Sequence, residues 1–161
     1  MAERCRLDWD IYSGIEDRVN ELALRDKVTA LQEAMREMPQ AEGLVTEHYF
    51  ADGMYCRVLR RPAGTLIVGK VHKREHFYIV CKGAVEVPTE DGIKIYRAGD
   101  VIVSKPGTKR AVLALEDSVC LTVHRTKKRN IERIEKELIE PDNRALFDAR
   151  NKQLGKLLCP G

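Results

Sequence analysis

Turn-forming residues interrupt the middle of the chain at regular intervals, and this spacing limits the fold more than any other feature of the sequence. Between about Glu47 and Thr126, runs rich in Val, Ile, Tyr and Thr are broken every eight to twelve residues by Gly, Pro or Asp. Eight short strands fit between these breaks. Because no helical crossover separates the strands, the pattern predicts an antiparallel sandwich or barrel rather than a parallel α/β sheet. The breaks are Asp52-Gly53, Pro62-Ala63-Gly64, Lys82-Gly83, Glu90-Asp91-Gly92, Ala98-Gly99-Asp100, Pro106-Gly107 and Glu116-Asp117.

Amphipathic segments flank the strand region on both sides. From residue 14 to residue 38, apolar side chains recur every three or four positions, which predicts a helix that Pro39 ends. Its apolar stripe packs either on the barrel or on a second subunit. Beyond Lys127, a second stripe predicts a helix of about twelve residues that Pro141 stops, and residues 143–158 are predicted to form one more. The residues of that second stripe are Ile131, Ile134, Leu138 and Ile139.

Length and composition are those of one globular unit. With 161 residues, of which 43% are apolar, the chain can bury one hydrophobic core. We therefore divide it into an N-terminal helical extension (1–43), a β barrel (44–126) and a C-terminal helical extension (127–161).

Charge, cysteine spacing and hydropathy exclude several classes of protein. The 28 basic and 25 acidic side chains are well mixed, so we expect no nucleic-acid partner. The five cysteines contain no Cys-x-x-Cys pair, which indicates reduced thiols rather than a zinc ribbon or a disulfide framework. No apolar run approaches the roughly 18 residues of a membrane helix, and the start MAERCRLDWD lacks the apolar segment of a secretion signal. We therefore expect a cytoplasmic protein that contacts no membrane.

The strongest chemical signal is the stretch GTLIVGKVHKREHFYIVCKG, residues 64–83. It contains the H-x-x-E-H pattern of inverted zinc proteases, in which a helix places two histidines on one face. Here the flanking runs are β-branched or aromatic, and Gly69 and Gly83 bracket the pattern, so a helix would oppose the local propensities. The segment is therefore predicted to be strand, turn and strand.

Read in this way, the stretch resembles the first motif of the cupin superfamily, which has a glycine, a His-x-His pair, a glutamate and a second glycine. If Gly83 sets the register, Lys70 and His72 take the two histidine positions and His76 takes the glutamate position. The later segment GDVIVSKPGTKR resembles the second cupin motif, with Arg110 at its histidine position. The resemblance implies a mainly β fold, a cupin double-stranded β-helix or jelly-roll barrel, with helices at both ends.

A narrower resemblance joins this chain to small cupin-like proteins of phage and prophage genomes. It rests on TEHYFADGMYCRVLRRPAGTLIVGKVHKREHFYIV and on VSKPGTKR. This resemblance implies the host cytoplasm as location, and it leaves open a structural or interaction role in a phage.

The substitutions at the cupin ligand positions predict a basic pocket. If the cupin register holds, five side chains converge on the barrel mouth and bind an anionic small molecule such as a sugar phosphate, nucleotide or carboxylate. These predicted ligand-binding residues are Lys70, His72, His76, Tyr78 and Arg110. The alternative is that Lys70 and Arg110 point outward and His72 caps the core.

A metal site is the next alternative. His72 and His76 could bind divalent iron, manganese, nickel or zinc with waters or another side chain. Lys70 and Arg110 oppose this, since each charge at about 4 Å costs roughly 4 kcal/mol at an effective dielectric near 20. We therefore expect no tightly bound metal. Catalysis stays open, either through such a metal or through His72 or His76 as base and Tyr78 as acid, as in metal-free cupin sugar epimerases.

His48 and His124 both lie in strand-like runs, where a lone histidine is usually a hydrogen-bonded packing residue. We therefore expect both to be packing residues.

The oligomeric state is predicted from apolar surface. Sheet edges and the amphipathic N-terminal helix present apolar surface, from which we expect a homodimer.

Overall fold

The structure, a computed structural model, describes residues 24–152 and residue 154. In these ranges it contains two helices and nine strands. They are α1 (Leu24–Met35), β1 (Val45–Ala51), β2 (Met54–Arg61), β3 (Leu66–Val68), β4 (His76–Lys82), β5 (Ala84–Thr89), β6 (Gly92–Arg97), β7 (Val101–Ser104), β8 (Ala111–Ala114), β9 (Ser118–Arg125) and α2 (Ile131–Leu138).

The strands form two antiparallel sheets that face each other. One sheet has the order β1-β2-β9-β4-β7 and the other β3-β8-β5-β6. Without β1, these are the two four-stranded sheets of a jelly roll. The predicted antiparallel barrel is confirmed, and the strand number is nine rather than eight. The breaks separate eight segments, and the one between Gly64 and Gly83, predicted to be strand, turn and strand, holds both β3 and β4 with an irregular connection over residues 69–75.

The prediction that the H-x-x-E-H stretch is not helical is confirmed. His72 forms an isolated bridge with Ile139, and His76 is the first residue of β4. Glu75 is exposed whereas His76 is buried, as expected for neighbours in extended backbone.

Small branched side chains fill the space between the sheets. The buried set comprises Tyr78, Val80, Val85, Val87, Val112 and Cys120. Full burial of each valine contributes about 1.5–3 kcal/mol. The turn between β4 and β5 depends on Gly83, which has φ +77°, and a Cβ there would lie 2.5 Å from the Asp117 carbonyl oxygen. Glycine is therefore the residue that this turn accommodates.

Both terminal helices pack on the same barrel. In α1, Val28 contacts Val68 and Ala111, so the apolar stripe of this helix lies against β3 and β8. In α2, the predicted stripe packs around Tyr55 of β2. Asn130 caps α2, because its side chain accepts a hydrogen bond from the Arg133 backbone N–H.

The prediction of a further helix over residues 143–158 is wrong for its described part. Residues 143–152 form turns and irregular structure instead. Asp142 and Asp148 accept hydrogen bonds from backbone N–H groups two residues on, at Arg144 and Arg150. Such local bonds compete with helix formation. The predicted helical residues 14–23 lie outside the described residues, and within the described ranges no helix is long and apolar enough to cross a membrane.

Candidate functional site

Three buried histidines meet inside the barrel. Their ring centroids lie 4.1 Å apart for His72 and His76, 4.9 Å for His72 and His124, and 4.6 Å for His76 and His124. One ring nitrogen of each lies within 4.8 Å of the corresponding atoms of the other two. Each histidine is 8% exposed or less. We call these three residues the histidine cluster.

Separate elements hold each member of the histidine cluster. His76 begins β4 and His124 comes next to last in β9, the strand that pairs with β4. His72 lies in the connection after β3, where its carbonyl accepts a hydrogen bond from the Gly107 N–H. Backbone bonds from Lys73 to Leu138 and from Glu140 to Val71 tie that connection to the end of α2. The C-terminal helix therefore fixes the position of His72.

The environment keeps the histidine cluster uncharged. Burial lowers the pKa of His72 to about 2, with a further contribution from the neighbouring His76. Burial also lowers the pKa of His124 to about 3 and lowers the pKa of His76. Arg57 lowers all three values, and Arg110 lowers those of His72 and His76. Burial, rather than neighbouring charge, is the main cause of these lowered pKa values.

Neutral imidazoles are the form that binds metals, so the histidine cluster fits a divalent transition ion. In a tetrahedral zinc site, two nitrogens at about 2.1 Å from the ion lie about 3.4 Å apart. The three ring nitrogens lie within 4.8 Å of one another, so side-chain rotations that bring them closer would complete such a site. Of the two cations that oppose a metal, Lys70 forms an ion pair with Glu135 of α2, which compensates its charge. Arg110 and Arg57, which also acts on all three histidines, form no salt bridge in the described chain.

The expectation that His124 is a lone packing residue is wrong. His124 completes the histidine cluster, and its ring stacks on Tyr55 at 5.9 Å. His48 stacks on the same tyrosine at 5.9 Å, and its Nδ1 lies 2.8 Å from the Tyr55 hydroxyl. The expectation for His48, a hydrogen-bonded packing residue, is confirmed.

A cavity of about 120 Å³ adjoins the histidine cluster between the two sheets. Among its described lining residues, four are basic and none is Asp or Glu. The basic residues are Arg57, Arg61, Lys70 and Arg110. Gln32 of α1 and residues 145–147 of the C-terminal segment also line it, so both terminal extensions contribute to its wall.

Lys70 and Lys109 form ion pairs with carboxylates, whereas the cavity arginines do not. Lys109, whose side chain is 3% exposed, binds Asp142, and Lys70 binds Glu135. Within the described chain, Arg57, Arg61 and Arg110 form no salt bridge. The arginines therefore leave the cavity with uncompensated positive charge.

Tyr78 lies between two of these arginines. Its hydroxyl accepts a hydrogen bond of 2.5 Å from Arg61 Nη2, and the Arg110 guanidinium lies 5.6 Å from its ring centroid. Arg110 also donates to Ser104 Oγ at 2.7 Å. Burial raises the pKa of Tyr78, so its phenol stays protonated at neutral pH. These contacts aim the two guanidinium groups at one region of the cavity.

Three buried polar atoms around this region lack a hydrogen-bond partner in the described structure. They are Arg61 Nε, Ser118 Oγ and Thr122 Oγ1. Arg61 lies opposite Ser118, and Arg57 lies opposite Thr122, in the pairing of β2 with β9. Buried polar groups normally form hydrogen bonds, so the unbonded N–H and O–H groups in this part of the barrel are available to a ligand.

The arrangement of the strands is similar to that of several solved structures. The chain is similar to the cupin domain of an XRE-family transcriptional regulator from Enterobacter cloacae, with 9% identity over 54% of this chain and all of that one, at a TM-score of 0.46. It is also similar to a cupin superfamily protein from Desulfitobacterium hafniense, with 10% identity over 55% and 83% of the two chains, at a TM-score of 0.46. The two antiparallel sheets of this chain form a jelly roll.

A match over more of the chain is salicylate 1,2-dioxygenase from Pseudoaminobacter salicylatoxidans. It has 17% identity over 70% of this chain and 33% of that one, at a TM-score of 0.49. No protein-family model matches the chain, and no curated protein matches it.

The jelly roll brings all five sequence-predicted site residues to the cavity wall. They are Lys70, His72, His76, Tyr78 and Arg110. Lys70 differs from the expectation in one respect, because Glu135 compensates its charge.

Sequence reasoning missed three residues of the cavity and its histidine cluster: Arg57, Arg61 and His124. The signal that could have found Arg57 and Arg61 is the alternation in MYCRVLRR, which places them on the same strand face as Tyr55 and Leu59. In the structure Arg60 is exposed and Arg61 is buried.

Proposed function

We propose that this protein binds a small organic anion inside the barrel. One observation supports this most directly: Arg61 is 4% exposed, and its guanidinium group has no acidic partner among the described residues. A buried charge without a counter-ion costs several kcal/mol, even after relaxation. An anionic ligand would supply the counter-ion, and the planar forks of Arg61 and Arg110 suit a carboxylate or phosphate.

The size of the cavity favours the smaller members of the predicted ligand class. The cavity volume is about 120 Å³. Pockets for drug-sized ligands are larger, at about 300–1,000 Å³. A small carboxylate, or the phosphate group of a larger molecule, therefore matches this space better than a whole nucleotide.

Thermal-shift titration with oxalate, malonate, succinate and inorganic phosphate tests this proposal. Binding to the folded state raises the melting temperature with ligand concentration, and we expect saturation for at least one of these anions. Chloride at equal ionic strength separates specific binding from general screening.

Arg61→Met is the matched test variant, and Arg60→Met is its control. The two residues are neighbours on β2, but Arg60 is half exposed and binds Glu47 at 3.3 Å on the outer face. We expect Arg61→Met to abolish the anion-induced shift and Arg60→Met to retain it. If no anion stabilises the wild-type chain, or if both variants respond equally, the proposal fails.

The histidine cluster supports a second candidate function, metal-assisted chemistry on the bound anion. The observation that favours it is the convergence of three neutral imidazoles beside the arginines. A divalent metal held by His72, His76 and His124 would supply a Lewis acid at the cavity wall. The chain's own part is to seat the anion with Arg61 and Arg110.

Substitution of His124 distinguishes a metal site from simple packing. We expect about one equivalent of divalent metal per chain by elemental analysis, and tetrahedral or five-coordinate absorption bands after cobalt loading. His124→Ala should lose both signals. His48→Ala is the matched control, because His48 stacks on the other side of the same Tyr55 at the same 5.9 Å distance. Wild-type protein that takes up no cobalt would rule out this second function while leaving anion binding intact.

A further inference from the structure

The outer face of the five-stranded sheet is mostly apolar. In β4, β7 and β9 the inward-facing side chains are mixed, with His76, Ser104 and Thr122 beside apolar core residues. The outward-facing ones are apolar apart from charged residues at the strand ends, such as Arg125 of β9. An antiparallel sheet that borders water normally shows apolar residues inward and polar residues outward. This outer sheet face therefore has a composition suited to contact rather than to solvent.

Two rows of side chains run across all five strands of the outer sheet face. They follow directly from the strand register. The first row is Tyr49, Cys56, Val123, Phe77 and Val103, and the second is Glu47, Val58, Leu121, Ile79 and Val101. One residue of the ten, Glu47, is a carboxylate, and it lies at the β1 edge in an ion pair with Arg60.

Five side chains of the outer sheet face leave about half of their surface open to solvent. They are Tyr49 (54%), Met54 (51%), Phe77 (49%), Val101 (57%) and Val103 (54%). Together with their partly exposed neighbours they offer roughly 500 Å² of apolar area, near the upper end of what a typical monomer exposes in one patch. Patches of this size mark interaction sites more often than isolated surface residues do.

The area of the outer sheet face matches what a pair of identical chains needs. Two such faces in contact remove roughly 1,000 Å² of apolar surface, which at the about 65% apolar share of homodimer interfaces corresponds to roughly 1,500 Å² in all. Stable interfaces bury about 1,200–2,000 Å². The other apolar surface from which the sequence predicted a dimer, the stripe of α1, already lies against β3 and β8.

Charge placement also suits self-association. Glu47 and Arg60 lie side by side at one margin of the face, so the rim carries both signs while the centre carries none. A contact between like faces about a two-fold axis is isologous, and it tolerates such a rim because each copy offers both charges. From these observations we infer that two copies of this chain associate through their outer sheet faces. The cavity lies on the opposite side of the same sheet, so the dimer leaves it free.

Mass measurement of the full chain tests this inference. Light scattering after size exclusion, with sedimentation velocity at several concentrations, should give twice the chain mass of 18.3 kDa. We expect the double variant Phe77→Asp, Val103→Asp to be monomeric, because two buried carboxylates per copy would oppose the contact. Ile93→Asp is the matched control: Ile93 is 61% exposed, but on β6 of the other sheet, and its variant should stay dimeric.

The milder variant Val103→Lys keeps the test decisive if the double variant does not fold. Val103 lies on the edge strand β7 and is more than half exposed, so a lysine there does not disturb the core. We expect it to weaken dimerisation about tenfold or more while leaving the circular dichroism spectrum unchanged. A monomeric wild-type chain, or a dimer that persists in a folded Val103→Lys variant and a folded double variant, would overturn the inference. The anion titration is independent of either result.

Discussion

Arg61 is the side chain whose environment says most about what the barrel holds. It lies on β2, opposite Ser118 of β9, and donates to Tyr78 within the core. A protein that merely needed a filled core would gain from an apolar residue here, since replacing a buried charge with a hydrophobic side chain is often neutral or stabilising. The retention of a guanidinium group at this position is explained if an anion occupies the cavity.

Arg61→Met should therefore stabilise the ligand-free protein. We expect the free energy of unfolding to rise by about 1–3 kcal/mol, because the variant removes the desolvation cost of an unpaired charge. Urea denaturation of dialysed protein, with and without the best anion from the titration, measures this. In the presence of saturating anion the order should reverse, with the wild type the more stable. A variant less stable than the wild type under both conditions would show that Arg61 has a purely structural role.

At the scale of elements, β9 contributes to both sides of the five-stranded sheet. Its sequence SVCLTVHR alternates strictly, so Ser118, Cys120, Thr122 and His124 face the interior and the residues between them face outward. The alternation was visible in the sequence. It did not show which side was inward, because apolar residues facing out contradict the usual rule for a strand at a surface.

The terminal elements are joined to each other by a buried polar network. Asp142 Oδ2 accepts hydrogen bonds from Lys109 Nζ and from Gln32 Nε2, each at 3.1 Å. Gln32 also donates to the Arg144 carbonyl at 2.6 Å. Helix α1, the connection after β7 and the C-terminal segment therefore meet at one carboxylate, on the side of the barrel where Gln32 lines the cavity.

Asp142→Asn should destabilise the protein strongly for a single-atom change. It leaves the ammonium group of Lys109, whose side chain is 3% exposed, without a counter-ion, and breaking such a buried pair costs about 3–5 kcal/mol. Urea denaturation at neutral pH measures the loss. Glu140→Gln is the matched control, because Glu140 forms an exposed ion pair with Arg25, and such pairs contribute about 0–1 kcal/mol.

The same carboxylate predicts a pH dependence. Burial alone would raise the pKa of Asp142, but hydrogen bonds from the Arg144 N–H, Gln32 and Lys109 outweigh it and hold the pKa below its usual range. A lowered pKa in the folded state means that the stabilisation is complete above the unfolded value of about 3.9 and is lost as the pH falls further. The difference in stability between wild type and Asp142→Asn should thus be constant near neutral pH and shrink below about pH 4. A difference that shrinks already between pH 7 and pH 5 would contradict this assignment.

At the scale of the whole molecule, the five-stranded sheet separates two environments. Its inner face carries the histidine cluster and the cavity arginines, and its outer face carries the two apolar rows. The four-stranded sheet and the two terminal extensions close the cavity from the other side. Ligand binding and self-association can therefore use opposite faces of the same strands without competing.

The sequence by itself determined the strands, the turns and the barrel. Glycine, proline and aspartate at fixed intervals act through local backbone geometry, so positions such as Gly83 can be recognised without knowledge of distant contacts. The resemblance to the first cupin motif, with Gly83 as its register, predicted His72 and His76 at the barrel mouth, and alternation along the strand predicted Tyr78 on the inner face.

Only the tertiary structure decided what surrounds each of these side chains. His124 and Arg61 joined the site because β9 pairs with both β4 and β2, and that pairing joins residues about 50 to 70 positions apart in sequence. The charge of Lys70 is compensated because α2 packs on the barrel and places Glu135 in an ion pair with it. Burial, which sets the pKa values of the histidine cluster, depends on all the elements that cover the site, and no local pattern in the sequence encodes it.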